Sequence, residues 1–486
     1  MKKPIIHSKT KSKKYLPGLL RSCALLAASM LAACATSGPD FQTPPTQIQT
    51  QWSANPDLLA NTPSPGIADF WATWGDPDLV ALIHQARAKN LSLQSAALAV
   101  AQADAVVRAG QSNSYPAVQL QASSSYSEPD LASKLKGKTS GSTTNQLNAA
   151  ASWEPDFWGQ IARAQESDLA SLNTSRAALA AARVSLDANV AGTYCNMRAQ
   201  EQRLEVARSN LRAQTENTRI AEARFRLGAT SELDWQQSRA QLAQTQAQIP
   251  ALENALAQYQ HALSVLLGEV PDYVAHHYPV RGTLPTAPQS LAVGAPKDLL
   301  RRRPDVLQAE FAAATQSARI GQAQAALYPS FTLSGSFGYA ATDSANLFSW
   351  DSRALAAGFG FSLPIFDRGR LKAQVQVQDL LFRQSALAYQ NQVLKAQQEV
   401  EDALAAFQAN RQQLLDLQNA DQAAARSTKL AMVRFLSGQT DFTTVSSAEQ
   451  AHLQTSDALV QARSGVLQAA ISAYRAIGGD WSTTNP

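Results

Sequence analysis

The sequence predicts an α+β membrane protein in which four strands per chain are pooled among three copies into a twelve-stranded β-barrel. That barrel continues into a long helical tube, and each chain carries the pattern twice as two internal structural repeats. Three observations point there. Arg224-Phe225-Arg226-Leu227-Gly228-Ala229-Thr230 returns as Arg434-Phe435-Leu436-Ser437-Gly438-Gln439-Thr440, and the same shift carries Gly268 onto Gly478. The stretches Gly159 to Leu227 and Arg370 to Ser437 contain no proline, and the only glycine inside them is Gly192. Four shorter segments alternate apolar and polar residues, the period of a strand with two different faces.

Residues 1–33 read as an export signal. Lys2, Lys3, Lys9, Lys11, Lys13, Lys14 and Arg21 precede an apolar run, Ala24 to Ala33, too short to span a bilayer as a mature helix. The run ends Leu31-Ala32-Ala33-Cys34, small residues before a thiol that can take a diacylglyceryl group. Cys34 is therefore the expected lipid attachment site and first mature residue, and Ala35 and Thr36, in place of Asp, favour sorting to the outer membrane by analogy with bacterial lipoproteins. Loss of the leader removes seven of the 42 Lys and Arg and none of the 38 Asp and Glu. The mature chain is net acidic, which argues against a nucleic-acid partner. Cys195 is then the one remaining thiol and reads as a small buried helix residue.

Residues 34–75 are expected to form the lipid anchor and an extended arm. The first repeat, 76–268, holds a helix, strands at 116–126 and 146–154, a long helix at 159–227 and a second at 231–267. A connector, 269–303, leads to the second repeat, 304–478: a helix, strands at 330–340 and 354–363, a long helix at 368–437 and another at 442–477. A tail, 479–486, follows. About 68 helical residues reach roughly 100 Å, which suits a tube or rod rather than a globular domain. Gly228 and Gly438 read as helix terminators that close two hairpins. Pro116, Pro155, Pro329 and Pro364 mark the junctions between strand and helix.

Each strand sets one apolar row against one polar row: Val118, Leu120 and Ala122 against Gln119 and Gln121, for example, or Phe331, Leu333 and Phe337 against Thr332, Ser334 and Ser336. About ten residues per strand, tilted, cross an outer membrane. Four strands cannot close a barrel. Two copies would give a filled eight-stranded barrel, and three give twelve strands with room for a channel. No HExxH, GxSxG, Walker loop or Cys/His metal spacing is present, so the chain reads as neither an enzyme nor a cofactor protein. The His276-His277 pair reads as part of a surface connector.

The Cys34 signal, Gly38-Pro39-Asp40-Phe41, Trp71-Ala72-Thr73-Trp74-Gly75-Asp76-Pro77, Arg302-Arg303-Pro304-Asp305 and the two Arg-Phe-x-x-Gly turns together resemble the outer-membrane efflux family. The resemblance is to the lipoprotein branch of the TolC-like factors that serve resistance-nodulation-division pumps. It implies a homotrimer with a periplasmic α-helical barrel, a periplasmic adaptor protein and an inner-membrane transporter as partners, and outer-membrane lipid around the strands. The implied function is a passive, gated exit path for drugs or other small toxic compounds, with the transporter selecting substrate. By position it assigns Arg224, Phe225, Gly228, Arg434, Phe435, Gly438 and Thr440 to the periplasmic tip and adaptor docking. Where the family's acidic constriction is expected, Ser446 and Ser447 stand instead, which leaves Asp234 and Asp441 as candidate gate carboxylates. The competing reading is a periplasmic adaptor or coiled-coil structural lipoprotein without a channel.

Overall fold

The computed structural model describes residues 36–53, 70–128, 141–288, 290–291, 296 and 302–479. The signal, Cys34, the arm at 54–69 and the tail beyond 479 lie outside the described residues. In chain order the elements are α1 (Pro77–Lys89), α2 (Leu91–Ser112), β1 (Ala117–Ser127), β2 (Ser142–Trp153), α3 (Gln160–Arg226), α4 (Glu232–Leu266), α5 (Tyr273–His277), α6 (Pro304–Ala325), β3 (Ser330–Ala341), β4 (Arg353–Ser362), α7 (Arg370–Leu436) and α8 (Phe442–Ala476). Contacts group them into two units, one of Met1–Thr43, Ala103–Leu172 and Phe311–Ala386, the other of Pro44–Gln102, Asn173–Glu310 and Leu387–Pro486.

The single helix expected before β1 is two. Asn90 adopts an extended conformation after α1, and its side-chain oxygen accepts the Leu93 N–H, which makes it a cap for α2. Its amide also donates to the Leu266 carbonyl, so the break is tied to the end of α4. The long helices α3 and α7 have 67 residues each, and α4 and α8 have 35 each. Helix α4 continues through Pro250, against the usual breaking effect of an internal proline. Both long helices end in the same backbone turn. Gly228 and Gly438 have φ of 72° and 75°. Their N–H groups and those of Ala229 and Gln439 bond back to carbonyls of the preceding turn, satisfying groups that a helix end leaves open.

The first unit contains a four-stranded antiparallel sheet in the order β1-β2-β3-β4. Beside it, the Gly38-Pro39-Asp40-Phe41 segment is clamped by Arg163, a buried side chain on α3 that donates to the Ser37 and Gly38 carbonyls and pairs with Asp40 and Glu166. Gly38, at φ 90°, comes so close to α6 that a Cβ there would lie 2.4 Å from the Gly321 Cα. Only glycine fits both the angle and the space.

The second unit holds the main apolar core, in which Tyr194, Met197, Leu263, Leu404, Phe407, Leu467 and Tyr474 pack together. The Trp71 to Pro77 segment is bolted onto it. Trp71 and Trp74 are buried against each other, with Trp71 also on Tyr474, Gly75 turns the chain at φ 68°, and Asp76 caps α1 while accepting the Tyr194 hydroxyl at 2.7 Å. Arg303 is also buried. It donates to the Ala476 carbonyl at the end of α8 and pairs with Asp305 and Glu399, fastening the start of α6. Before that core, the irregular stretch 45–53 is held along α7 by glutamine and glutamate side chains. Gln390 donates to the Pro45 carbonyl, Gln397 bonds both Gln47 and Gln49, and Glu401 accepts the Ser53 N–H.

Gly38→Ala is expected to push residues 36–41 off α6 and loosen the Arg163 clamp, because the added methyl meets the Gly321 backbone and not a movable side chain. The cost of such overpacking is about 1–3 kcal/mol. Limited proteolysis of the intact protein should then cut within 36–53 where the wild type resists, and an unchanged digestion pattern would contradict the clamp.

Candidate functional site

The register of the sheet sorts its residues cleanly by face. Leu120, Ala149, Phe337 and Leu355 lie in one cross-strand row, and Val118, Ala151, Gly335 and Ala357 in the next. The adjoining row begins Ala122, Leu147, Tyr339. On the opposite face the rows read Gln119, Ala150, Ser336, Ala356 and then Gln121, Asn148, Gly338, Ala354. Opposed residues in an antiparallel pair share a face, so one side is aliphatic and aromatic while the other is polar or small. The apolar side is uncovered by any described residue. Val118, Leu120, Leu355 and Phe359 are 70%, 76%, 81% and 66% exposed. Phe331 ties this face together by stacking on Phe359 and packing against Phe361 and Phe157. Among the described residues, the outer edges of β1 and β4 have no strand partner.

The predicted tip residues come together at the ends of two helical hairpins, α3–α4 and α7–α8, and their contacts run from the first hairpin to the second. The Arg224 guanidinium donates to the Phe435 and Leu436 carbonyls, each at 3.1 Å, and lies 4.8 Å above the Phe435 ring. A cation is thus placed on the negative end of another helix. Phe435 is buried beneath it against Phe442, whereas Phe225 stacks on Trp235. Thr440 donates its hydroxyl to Thr444. Leu227, Leu233 and Val433 are large apolar side chains left open beside the turns, and Leu227 is 84% exposed.

Both candidate gate carboxylates serve as caps. Asp441 is the N-cap of α8 and accepts the Thr444 N–H. Asp234 completes a capping box with Ser231 and also accepts the Phe442 N–H at 3.4 Å, so it reaches the positive end of α8 from the first hairpin. Burial pushes its pKa up, but the hydrogen bonds from Thr230, Ser231 and Phe442 outweigh this and hold the carboxyl below the ordinary aspartate range. Eight residues beyond Asp441, Glu449 is buried on α8 and hydrogen-bonded to Asn217 of α3, while its Oε2 has no hydrogen-bond partner among the described residues. Burial raises its pKa, only partly offset by Asn217. Asn217 escaped the sequence reading because an asparagine amid Gln and Thr on a long polar helix carries no signal of its partner.

Known proteins are similar to this chain in sequence and fold. A family model described as outer membrane efflux protein matches residues 82–269 and 295–479, one segment for each half of the chain. The pyoverdine export outer membrane protein OpmQ of Pseudomonas putida is 31% identical over 478 residues, covering 96% of this chain and 98% of the relative. The probable outer membrane lipoprotein SilC of Salmonella typhimurium is 28% identical, covering 93% and 97% respectively. Among solved structures, the outer-membrane channel OprN superposes with a TM-score of 0.85 at 29% identity, covering 92% of this chain and 99% of that one.

The lowered pKa of Asp234 fixes the sign of a pH effect. The stabilisation it gives the first hairpin is complete above the ordinary aspartate value of about 3.9 and fades as pH falls through its lower folded value. Amide protection factors at 228–236 should therefore drop in acid in the wild type. In Asp234→Asn they should be low already at neutral pH and change little on acidification. Equal, pH-dependent protection in the two proteins would rule out the capping role.

Proposed function

Because this chain belongs to the outer membrane efflux protein family, whose members are outer-membrane channels and not enzymes, we propose that three copies assemble into the exit duct of a tripartite efflux system. The observation that carries the proposal is the two-faced sheet with open edges. An unpaired strand edge in hydrocarbon leaves each backbone group without water at a cost of several kcal/mol. Pairing β4 of one copy with β1 of the next removes every edge once the ring closes, and three copies give twelve strands. The apolar face then meets lipid and the polar face lines the bore. The paired hairpins of α3, α4, α7 and α8 form the helical wall of the periplasmic conduit.

A lipid on Cys34 fits the same reading. Thr36, two residues on, presses on Gly159, where an added Cβ would lie within 3.0 Å of it, so the chain leaves the anchor at the junction of strand and helix. The tips, with exposed Leu227, Leu233 and Val433 beside their turns, suit a periplasmic adaptor protein that bridges to a resistance-nodulation-division transporter in the inner membrane. The transporter supplies energy, and this protein supplies a passive, gated path for small toxic compounds. Burial of Glu449 between the hairpins, with Asp234 and Asp441 at the caps, supports a closed resting state.

Two substitutions one residue apart test the proposal. Leu120→Lys puts a cation on the lipid face at a cost of roughly 2–4 kcal/mol near the midplane, and should sharply reduce insertion into the outer membrane. Gln121→Lys, on the bore side, should insert normally and shift planar-bilayer current toward anions. Equal insertion of both variants, or no conductance from the correctly inserted wild type, would defeat the proposal and favour a structural lipoprotein without a channel.

A further inference from the structure

The contact between the two hairpins of one chain is directional, and the internal repeat leaves its counterpart unfilled. Arg224, at the end of α3, claims the Phe435 and Leu436 carbonyls at the end of α7. The repeat places Arg434 and Phe435 where the first half has Arg224 and Phe225, and the two helix ends share one backbone geometry. Gly228 N–H to Phe225 O is matched by Gly438 N–H to Phe435 O, and Ala229 N–H to Arg224 O by Gln439 N–H to Arg434 O. Yet Arg434 is exposed, and among the described residues its side chain makes no hydrogen bond or ion pair. No described side chain donates to the Phe225 or Arg226 carbonyl either. One hairpin end thus presents an unused arginine, and the other a pair of helix-end carbonyls that no described side chain claims.

We infer that Arg434 of one copy donates to the Phe225 and Arg226 carbonyls of a neighbouring copy, repeating between chains the clasp that Arg224 makes within one. The partner at each hairpin end is a second copy of this chain because the donor and acceptor are related to the observed pair by the repeat itself. The contact is head-to-tail, so it suits a closed ring. Ring faces agree with it. Phe435 is buried under Arg224, whereas Phe225, stacked on Trp235, stays half-buried and has no cation over its ring among the described residues. The nearby cation, Arg226, is paired with Glu222, which lowers repulsion toward an incoming arginine. The carboxylate half of the clasp is not repeated, because the position of Asp234 is taken by Thr444. The seam between copies accordingly holds fewer polar contacts than the seam within a copy.

This inference rests on the assembly proposed above, and the test separates the two. The full-length, lipid-modified chain carrying Arg434→Cys and Leu227→Cys is treated in outer-membrane vesicles with a thiol crosslinker about as long as an arginine side chain, since Cα atoms more than about 7 Å apart cannot form a direct disulfide. Covalent dimers and trimers are expected on denaturing gels. The control pair, Arg224→Cys with Leu436→Cys, should bridge within one chain and leave its mass unchanged. Buried Cys195 should not react. Native electrophoresis that shows only single copies would sink the assembly itself. Native trimers with no interchain product from the first pair would overturn the clasp alone. Arg434→Ala should also lower the temperature at which the trimer dissociates, and Arg434→Lys, which keeps the charge but loses the planar fork, should recover only part of that loss. Dissociation of Arg434→Ala at the wild-type temperature would likewise overturn the clasp.

Discussion

Backbone hydrogen bonding in a medium without water governs most of what this chain does. The four-stranded sheet satisfies its interior ladders through the β1–β2, β2–β3 and β3–β4 pairings, but among the described residues β1 and β4 each keep one side unpaired. In water such edges invite aggregation, and in lipid they are untenable. An uncovered apolar face on the same sheet makes lipid the fitting surroundings. In the proposed assembly, closure with other copies satisfies face and edges together, and the long hairpins continue the same wall.

At the hairpin tips the same bookkeeping applies to helix ends. Each long helix must stop, turn and restart within a few residues, and Gly228 and Gly438 make this possible at positive φ. The free carbonyls and N–H groups left over are met across the hairpins by Arg224 and Asp234 and not by water alone. Farther along α3 and α8 the seam turns polar, with Glu449 buried against Asn217. A buried carboxylate with one oxygen unsatisfied stores less stability than the aromatic and aliphatic core around Tyr194, Phe407 and Tyr474. The distal hairpins are therefore the part of the second unit best suited to repack.

Much of the fold was legible because its signals are periodic and long. Uninterrupted stretches between Gly159 and Leu227 and between Arg370 and Ser437 correspond to α3 and α7, and strict alternation marked four strands to within a few residues. The break at Asn90 was not legible, since a capping asparagine inside an otherwise helical run looks like any surface residue. Neither was the work of the short ordered segments. Gly38 and Arg163 are far apart in sequence, and only their meeting beside Gly321 explains why the turn needs glycine. At the tips, sequence position located Arg224 and Phe435 but could not reveal that one lies over the other. Asp234 and Asp441 drew notice as charges, whereas their hydrogen bonds are those of helix caps.

The number of copies that complete the proposed cylinder decides between a channel and a structural lipoprotein. Native mass spectrometry of the intact protein, released gently from outer membranes, counts them directly. A mass of three chains, each heavier by a diacylglyceryl-type modification, is the expected result. A stable, folded single chain that retains its sheet under the same conditions would contradict it.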